Sequence, residues 1–269
     1  MSYEAGDSAS GKSRRLADRL AAGETILSAW SSLPDPLTIE AVAAAPLDAV
    51  TLDGQHGGHT EDIVLRAIGP VMARGKPAIV RIPVGRFDMA SRVLDFGAEA
   101  VIAPMINSIA DAKAFAAAMK YPPVGQRSWG APRAQHFHGV TDKQNWLETA
   151  NALSLAFAMI ETREAYAALD GILAVDGIDG VFVGPGDLSI SLSGGKTIDP
   201  GMATMMDTIA DIGRRAVAAG KHAAIYLHDA ALAGRYHRGG FRFFALTGDT
   251  HYISVGAKAQ ADAARASMS

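Results

Sequence analysis

The 269-residue sequence contains no cysteine. That excludes disulfides, thiolate nucleophiles and cysteine-built zinc or iron–sulfur centres, and says little about redox compartment. Long apolar runs are missing as well: no stretch approaches the roughly 18 consecutive apolar residues that suggest a membrane-spanning helix. Neither sign of charge dominates. Lys and Arg number 25 against 28 Asp and Glu, for a net charge of −3 and a pI of about 6.2, which leaves no electrostatic case for a nucleic-acid partner. The opening MSYEAGDSASGKSRR lacks the apolar centre of a signal peptide. A cytoplasmic protein with no membrane association is therefore expected.

What the chain does have is apolar material for a large core. Hydrophobic residues make up 49% and charged residues 20%, and the length suits one α/β barrel. Short apolar runs recur along it: TILSAW (25–30), AVTLDG (49–54), AIVRIP (78–83), AVIAPMI (100–106), LAFAMIE (155–161), GVFVGP (180–185), HAAIYL (222–227) and FRFFALTG (241–248). They are apolar on both faces, as parallel strands covered by helices must be. Helical patterns lie between them at 60–75, 88–98, 110–120, 163–175, 202–220 and 229–240. The alternation predicts a (β/α)8 TIM barrel, with a doubly wound open sheet as the alternative, because alternation alone does not show closure.

Residues 1–11 read as a disordered tail and 12–269 as one barrel domain. A helix at about 12–22 is placed to plug the barrel bottom. Residues 121–152 break the rhythm with prolines, tryptophans, histidines and arginines, which suggests an ordered functional loop. The C-terminal helix HYISVGAKAQADAARASM carries only a thin apolar stripe, suited to packing on another subunit.

Reactive residues of a parallel barrel gather at the C-terminal ends of its strands. Here those ends carry Asp53 and His56, Arg81, Glu161, and Asp187 within GPGDLS. Glu161 follows six apolar residues, and a buried carboxylate requires a positive partner. With Asp187 one unit later, it suits a hard divalent ion; the plainer alternative is that Glu161 caps the next helix through Thr162 and pairs with an arginine. Arg81 inside an apolar strand points to a substrate anion or, equally, to a structural ion pair. The GPGDLS turn opens toward a helix whose amides could hold a carboxylate or phosphate, or it is simply a plain Gly-Pro-Gly turn. Asp53 near His56 suits a general base whose tautomer is fixed by a carboxylate, or simply a turn aspartate beside an incidental histidine. The remaining histidines, His228 and His251 among them, are read as structural or surface.

Taken in order, LDGQHG, VRIP, LDFGAEAVIAPMI, YPPVGQRSWG, MIETREA and DGVFVGPGDLS resemble the class II pyruvate aldolases of the HpcH/HpaI type, across about residues 23–264. That resemblance implies a metal-dependent carbon–carbon lyase that forms or cleaves 4-hydroxy-2-oxo acids from a pyruvate or hydroxypyruvate enolate and an aldehyde. It implies a homo-oligomer, commonly a hexamer, with exchanged C-terminal helices. It further implies Mg²⁺ or Mn²⁺ (Co²⁺ being a further option) on Glu161 and Asp187, Arg81 on the enolate oxygen, and proton transfer by His56 supported by Asp53. The substrate carboxylate would rest on the amides of Gly186 and Asp187, and Asp95 would reach a neighbouring subunit's site. Three positions depart from the pattern: Gln55 replaces a glutamate, Arg127-Ser128-Trp129-Gly130 alters a loop in which Trp129 would narrow the mouth, and Met159 stands where some members carry glutamine. None of the strand runs contains a lysine, which argues against Schiff-base chemistry. The competing readings are a citrate-lyase-like or malyl-CoA-lyase-like enzyme, for which no basic cluster awaits the CoA phosphate, and a catalytically silent metal-binding barrel.

Overall fold

A computed structural model describes residues 15–268; the tail expected at 1–11 lies outside them. Eight parallel strands close into a barrel in sequence order: β1 (Ile26–Ser31), β2 (Ala49–Asp53), β3 (Ala78–Arg81), β4 (Ala100–Ala103), β5 (Leu155–Ile160), β6 (Gly180–Val183), β7 (His222–Tyr226) and β8 (Phe243–Gly248). Closure comes from β1, which pairs with both β2 and β8. The chain is a (β/α)8 barrel and not an open sheet.

Strand parity explains both the core and the site. Side chains alternate between faces with period two. Ile26, Ala49, Ile79, Ala100, Ile102, Leu155, Phe157, Met159, Phe182, Ala224, Phe243 and Ala245 pack together in the barrel interior. The intervening residues, such as Val50, Val80, Val101, Ala158, Val181 and Ile225, pack outward against the helices. Both faces are thus dry, so the strands show no polar alternation in sequence. Counting in twos along the inner face from Ala49, Ile79 and Leu155 reaches Asp53, Arg81 and Glu161. Those three polar side chains therefore share the interior phase and emerge where the strands end.

Leu16 and Leu20 of the helix Leu16–Ala21 join the interior cluster and close the barrel bottom, as expected. The Leu16 amide donates to a Glu99 carboxylate oxygen at 2.6 Å. The helix Pro36–Ala44 was not anticipated; Asp35 caps it by accepting from the Thr38 amide, and proline occupies its first turn. Residues 121–152 also differ from the expected loop. They hold the helices Pro132–Phe137 and Lys143–Leu153, the latter continuing to the start of β5, and a small core of their own around Tyr121, Ala134, Val140 and Trp146. The C-terminal helix Asp249–Met268 buries only Asp249 fully and leaves Ile253, Val255 and Met268 exposed. No helix among the described residues is long and apolar enough to cross a membrane.

Candidate active site

At the C-terminal mouth of the barrel lies a cavity of about 540 Å³, walled by residues from seven strand ends and bordered by Pro200. Asp53, His56, Arg81, Glu161, Gly186 and Asp187 all line it, drawn together from four separate segments.

Asp53 ends β2 and is 2% exposed. Its carboxylate accepts from Arg81 Nε at 2.8 Å and Nη2 at 2.7 Å, from Trp30 Nε1 at 3.3 Å, and from the amides of Gln55 and His56. Burial by itself would raise its pKa, but the Arg81 guanidinium and those two amides outweigh burial and hold the carboxyl below the usual range. The amide bonds wrap the chain sharply after the strand. Gly57 is required there, since a Cβ would stand 2.5 Å from the Asp53 carbonyl oxygen. His56 is thereby delivered, exposed, to the rim. The expected support of its imidazole by Asp53 is corrected in one respect: Asp53 holds the His56 backbone, and its carboxylate is committed to Arg81. The alternatives of a turn aspartate and an interior ion pair describe these contacts. Arg81 is further located by the Trp30 ring, 4.7 Å from its Cζ.

Glu161 directly follows β5 and is also 2% exposed. Its Oε1 accepts from the Met105 amide at 2.7 Å, and Met105 takes a left-handed φ of 56°, a conformation that costs a methionine on the order of 1 kcal/mol. Glu161 does not cap the following helix, because the Thr162 hydroxyl fills that role. Burial pushes the Glu161 carboxyl up to about 7; the Met105 bond opposes this, the neighbouring Asp187 adds to it, and Arg81 opposes it. Gly184 makes room for the acid, since a Cβ there would sit 2.6 Å from Glu161 Oε2.

GPGDLS proves to be more than a turn. The helix Pro185–Leu192 begins within it, so Gly186 and Asp187 stand in the first turn, where amides have no intrahelical partner and the helix dipole favours an anion. Among the described residues no set of three or more His, Cys, Asp or Glu converges as a metal cage. The donor set is two carboxylates that repel one another beside an arginine already neutralised by Asp53. Such a pair fits a hard divalent ion that retains open positions for water or substrate oxygens.

The profile of the HpcH/HpaI aldolase/citrate lyase family matches residues 27–254. The chain belongs to that family. It is 36% identical over 229 residues to a hydroxypyruvate/pyruvate aldolase of Roseovarius nubinhibens, covering 84% of this chain and 87% of the relative. Identity is 34% with a 4-hydroxy-2-oxo-heptane-1,7-dioate aldolase of Salmonella arizonae, over 91% of this chain and 92% of the relative. The crystal structure of an HpcH/HpaI aldolase from Desulfitobacterium hafniense superposes with a TM-score of 0.84 at 25% identity, covering 93% of this chain and 96% of that one.

Trp129, expected to narrow the mouth, lies elsewhere, and Asp95, expected to reach a neighbouring subunit's site, does not enter this chain's own cavity. Asp95 sits in the helix Phe87–Phe96 and is bound to buried Arg127 at 2.7 Å. Trp129 packs against Tyr121 on the same outer face; neither is among the residues lining this chain's cavity. Conversely, Trp30, Phe182, Tyr226, Thr247, His228 and His251 line it although the sequence reading passed them over. Interior parity marks Trp30 and Tyr226, which lie on the inner face two residues beyond Ser28 and Ala224. His228 follows β7 in an irregular segment and His251 opens the C-terminal helix directly after β8, places that no strand period reaches.

Proposed function

We propose that this member of the family is a metal-dependent aldolase that forms and cleaves 4-hydroxy-2-oxo acids through the enolate of pyruvate or hydroxypyruvate. The observation that carries the reading is the opposed pair Glu161 and Asp187 in a cavity that also holds an oriented arginine. These two carboxylates would hold Mg²⁺ or Mn²⁺, with Co²⁺ also compatible, and the bound ion would supply Lewis-acid stabilisation of the enolate charge. Arg81, with one edge of its fork fixed on Asp53, offers its remaining N–H groups to the oxygen where charge develops. The amides of Gly186 and Asp187 receive the substrate carboxylate. In cleavage, His56 at the rim takes the proton of the C4 hydroxyl, directly or through water. The C3–C4 bond then breaks, C4 leaves as an aldehyde, and the electron pair remains on the three-carbon enolate, which is protonated at C3.

The lining residues include one arginine and no lysine, a poor match for the phosphates of a CoA thioester. We assign the exposed C-terminal helix and the Asp95–Trp129 face to contacts in a homo-oligomer, with a hexamer as the expected size and size-exclusion chromatography with light scattering as the check; a monomer would refute it. Activity is tested by following exchange of the pyruvate C3 protons in D₂O with Mn²⁺. Exchange blocked by EDTA is expected. No exchange with Mg²⁺, Mn²⁺ or Co²⁺ would overturn the proposal in favour of a silent barrel.

A further inference from the structure

His56 stands on the segment 54–60, between β2 and the helix Glu61–Ala73. Asp53 pins the near end of that segment through the amides of Gln55 and His56. The far end lies against the exit of β1. There the Gly58 amide donates to the Ser32 carbonyl at 2.8 Å, and a Cβ on Gly58 would stand only 2.7 Å from Pro34 Cγ. The next side chain, His59, turns inward, with its Nε2 3.0 Å from Ser31 Oγ. The Ser31 hydroxyl donates to Asp249 Oδ2 at 3.3 Å, and that same oxygen accepts from the amides of Ser32 and Leu33 at 2.9 Å each. Asp249 is the first residue of the C-terminal helix.

The direction of these bonds follows from their last member. A carboxylate only accepts, so the single hydrogen of Ser31 goes to Asp249 and the serine oxygen takes one from His59. Burial lowers the His59 pKa, against the Ser31 contact and the charges of Asp249 and Asp53. The ring is therefore neutral at pH 7, with its one hydrogen on Nε2. Its Nδ1 is closed off from solvent and has no partner among the described residues; in this tautomer it is a bare lone pair and not an orphaned N–H. The order of contacts is not that of a hydrolytic triad, where the imidazole sits between acid and serine. Here the serine is in the middle, and none of the three residues lines the cavity. His59, Ser31 and Asp249 are 3%, 0% and 1% exposed, so the network is closed within one chain, out of reach of a neighbouring subunit.

A buried chain of bonds that touches no substrate acts by holding something in place. What it holds is the far end of the segment that carries His56. We propose that His59 is a positioning residue for His56: through Ser31 and Asp249 it fixes the segment bearing the proton-transferring imidazole and ties it to the start of the C-terminal helix. This rests on the aldolase reading above. Without the His59 bond, His56 keeps its near anchor at Asp53 and loses a side-chain anchor at the far end, and a displacement of about 1 Å at a reacting group costs up to about 100-fold in rate.

The test measures cleavage of 4-hydroxy-2-oxopentanoate with Mn²⁺. His59→Leu fills the buried volume without the donor. It should lower kcat by about 10- to 100-fold while KM and Mn²⁺ affinity change less than about twofold. Ser31→Ala, a smaller change, should show the same split. His59→Gln, whose amide nitrogen reaches about as far as Nε2, should recover most of the loss. In a His56→Ala background His59→Leu should cost nothing more, because no imidazole remains to be placed. Full kcat in both His59→Leu and Ser31→Ala would overturn the inference. So would KM and metal affinity falling in step with kcat, or an equal fold-loss with and without His56, as a purely structural role would give. Hydrogen-exchange mass spectrometry separates this inference from the aldolase reading, because it needs no turnover. The amides of 54–60 should exchange faster in His59→Leu than in the wild type. Unchanged exchange sinks the inference even in an active aldolase. Faster exchange in a protein whose wild type neither cleaves the acid nor exchanges pyruvate protons leaves the anchoring of His56 standing and removes the aldolase reading.

Discussion

Asp53→Asn tests the central contact of the site. In the wild type, two charge-assisted bonds of 2.8 and 2.7 Å fix the Arg81 fork, and both partners are nearly buried. Asparagine keeps one acceptor oxygen and loses the charge, leaving a buried guanidinium half-paired. Breaking such a pair costs about 3–5 kcal/mol; with one bond retained, about 3 kcal/mol is expected, or a Tm lower by roughly 6–10 °C. The enolate would lose a preorganised donor, and removing one such donor costs about 10²–10³ in rate. The assay is pyruvate C3 exchange as a function of pH, run below the variant's melting range. If Asp53 acts through Arg81, exchange falls throughout while the pH profile keeps its position. A profile displaced by about a unit, with the maximal rate preserved, would show that Asp53 acts on the His56 imidazole, and would refute the argument.

Other outcomes follow from the remaining buried acids. Burial pushes the Glu99 carboxyl from 4.5 to about 7 against the Leu16 amide bond, so between those values the folded chain keeps a proton that the unfolded chain has released. Stability from this group is complete below about pH 4.5 and falls by about 3 kcal/mol as pH rises to 7. Glu99→Gln should remove that fall, measured by urea unfolding at pH 5 and 8, and parallel curves for the two proteins would count against it. Because Glu161 is raised to about 7, protons should compete with metal below that pH. Mn²⁺ affinity measured by calorimetry should weaken about tenfold per unit there, and a flat dependence would remove Glu161 from the donor set. Gly184→Ala would place a Cβ 2.6 Å from Glu161 Oε2 and should lower Mn²⁺ affinity at least about tenfold, with unchanged affinity as the contrary result.

Much of this molecule is legible in one dimension. Strands dry on both faces announce themselves as apolar runs, so all eight were placed from the sequence, and polar residues ending such runs marked Asp53, Arg81, Glu161 and Asp187. The helix Pro36–Ala44 escaped because its short alanine-rich span, PLTIEAVAA, reads weakly as an amphipathic pattern, although Asp35 and Pro36 are sound start signals. Residues 121–152 looked like a loop because prolines and aromatics mask two short helices whose core is local.

The sequence by itself determined the strand–helix order and the presence of two acids able to share an ion, because these follow from residue type and spacing along the chain. Only the tertiary structure decided that Asp53 serves Arg81, that Asp95 and Trp129 turn away from this chain's cavity, and that His228 and His251 turn into it. The physical reason is closure. Once β8 pairs with β1, residues nearly two hundred positions apart share one cavity, and which charge meets which is set by barrel geometry, not by distance along the chain.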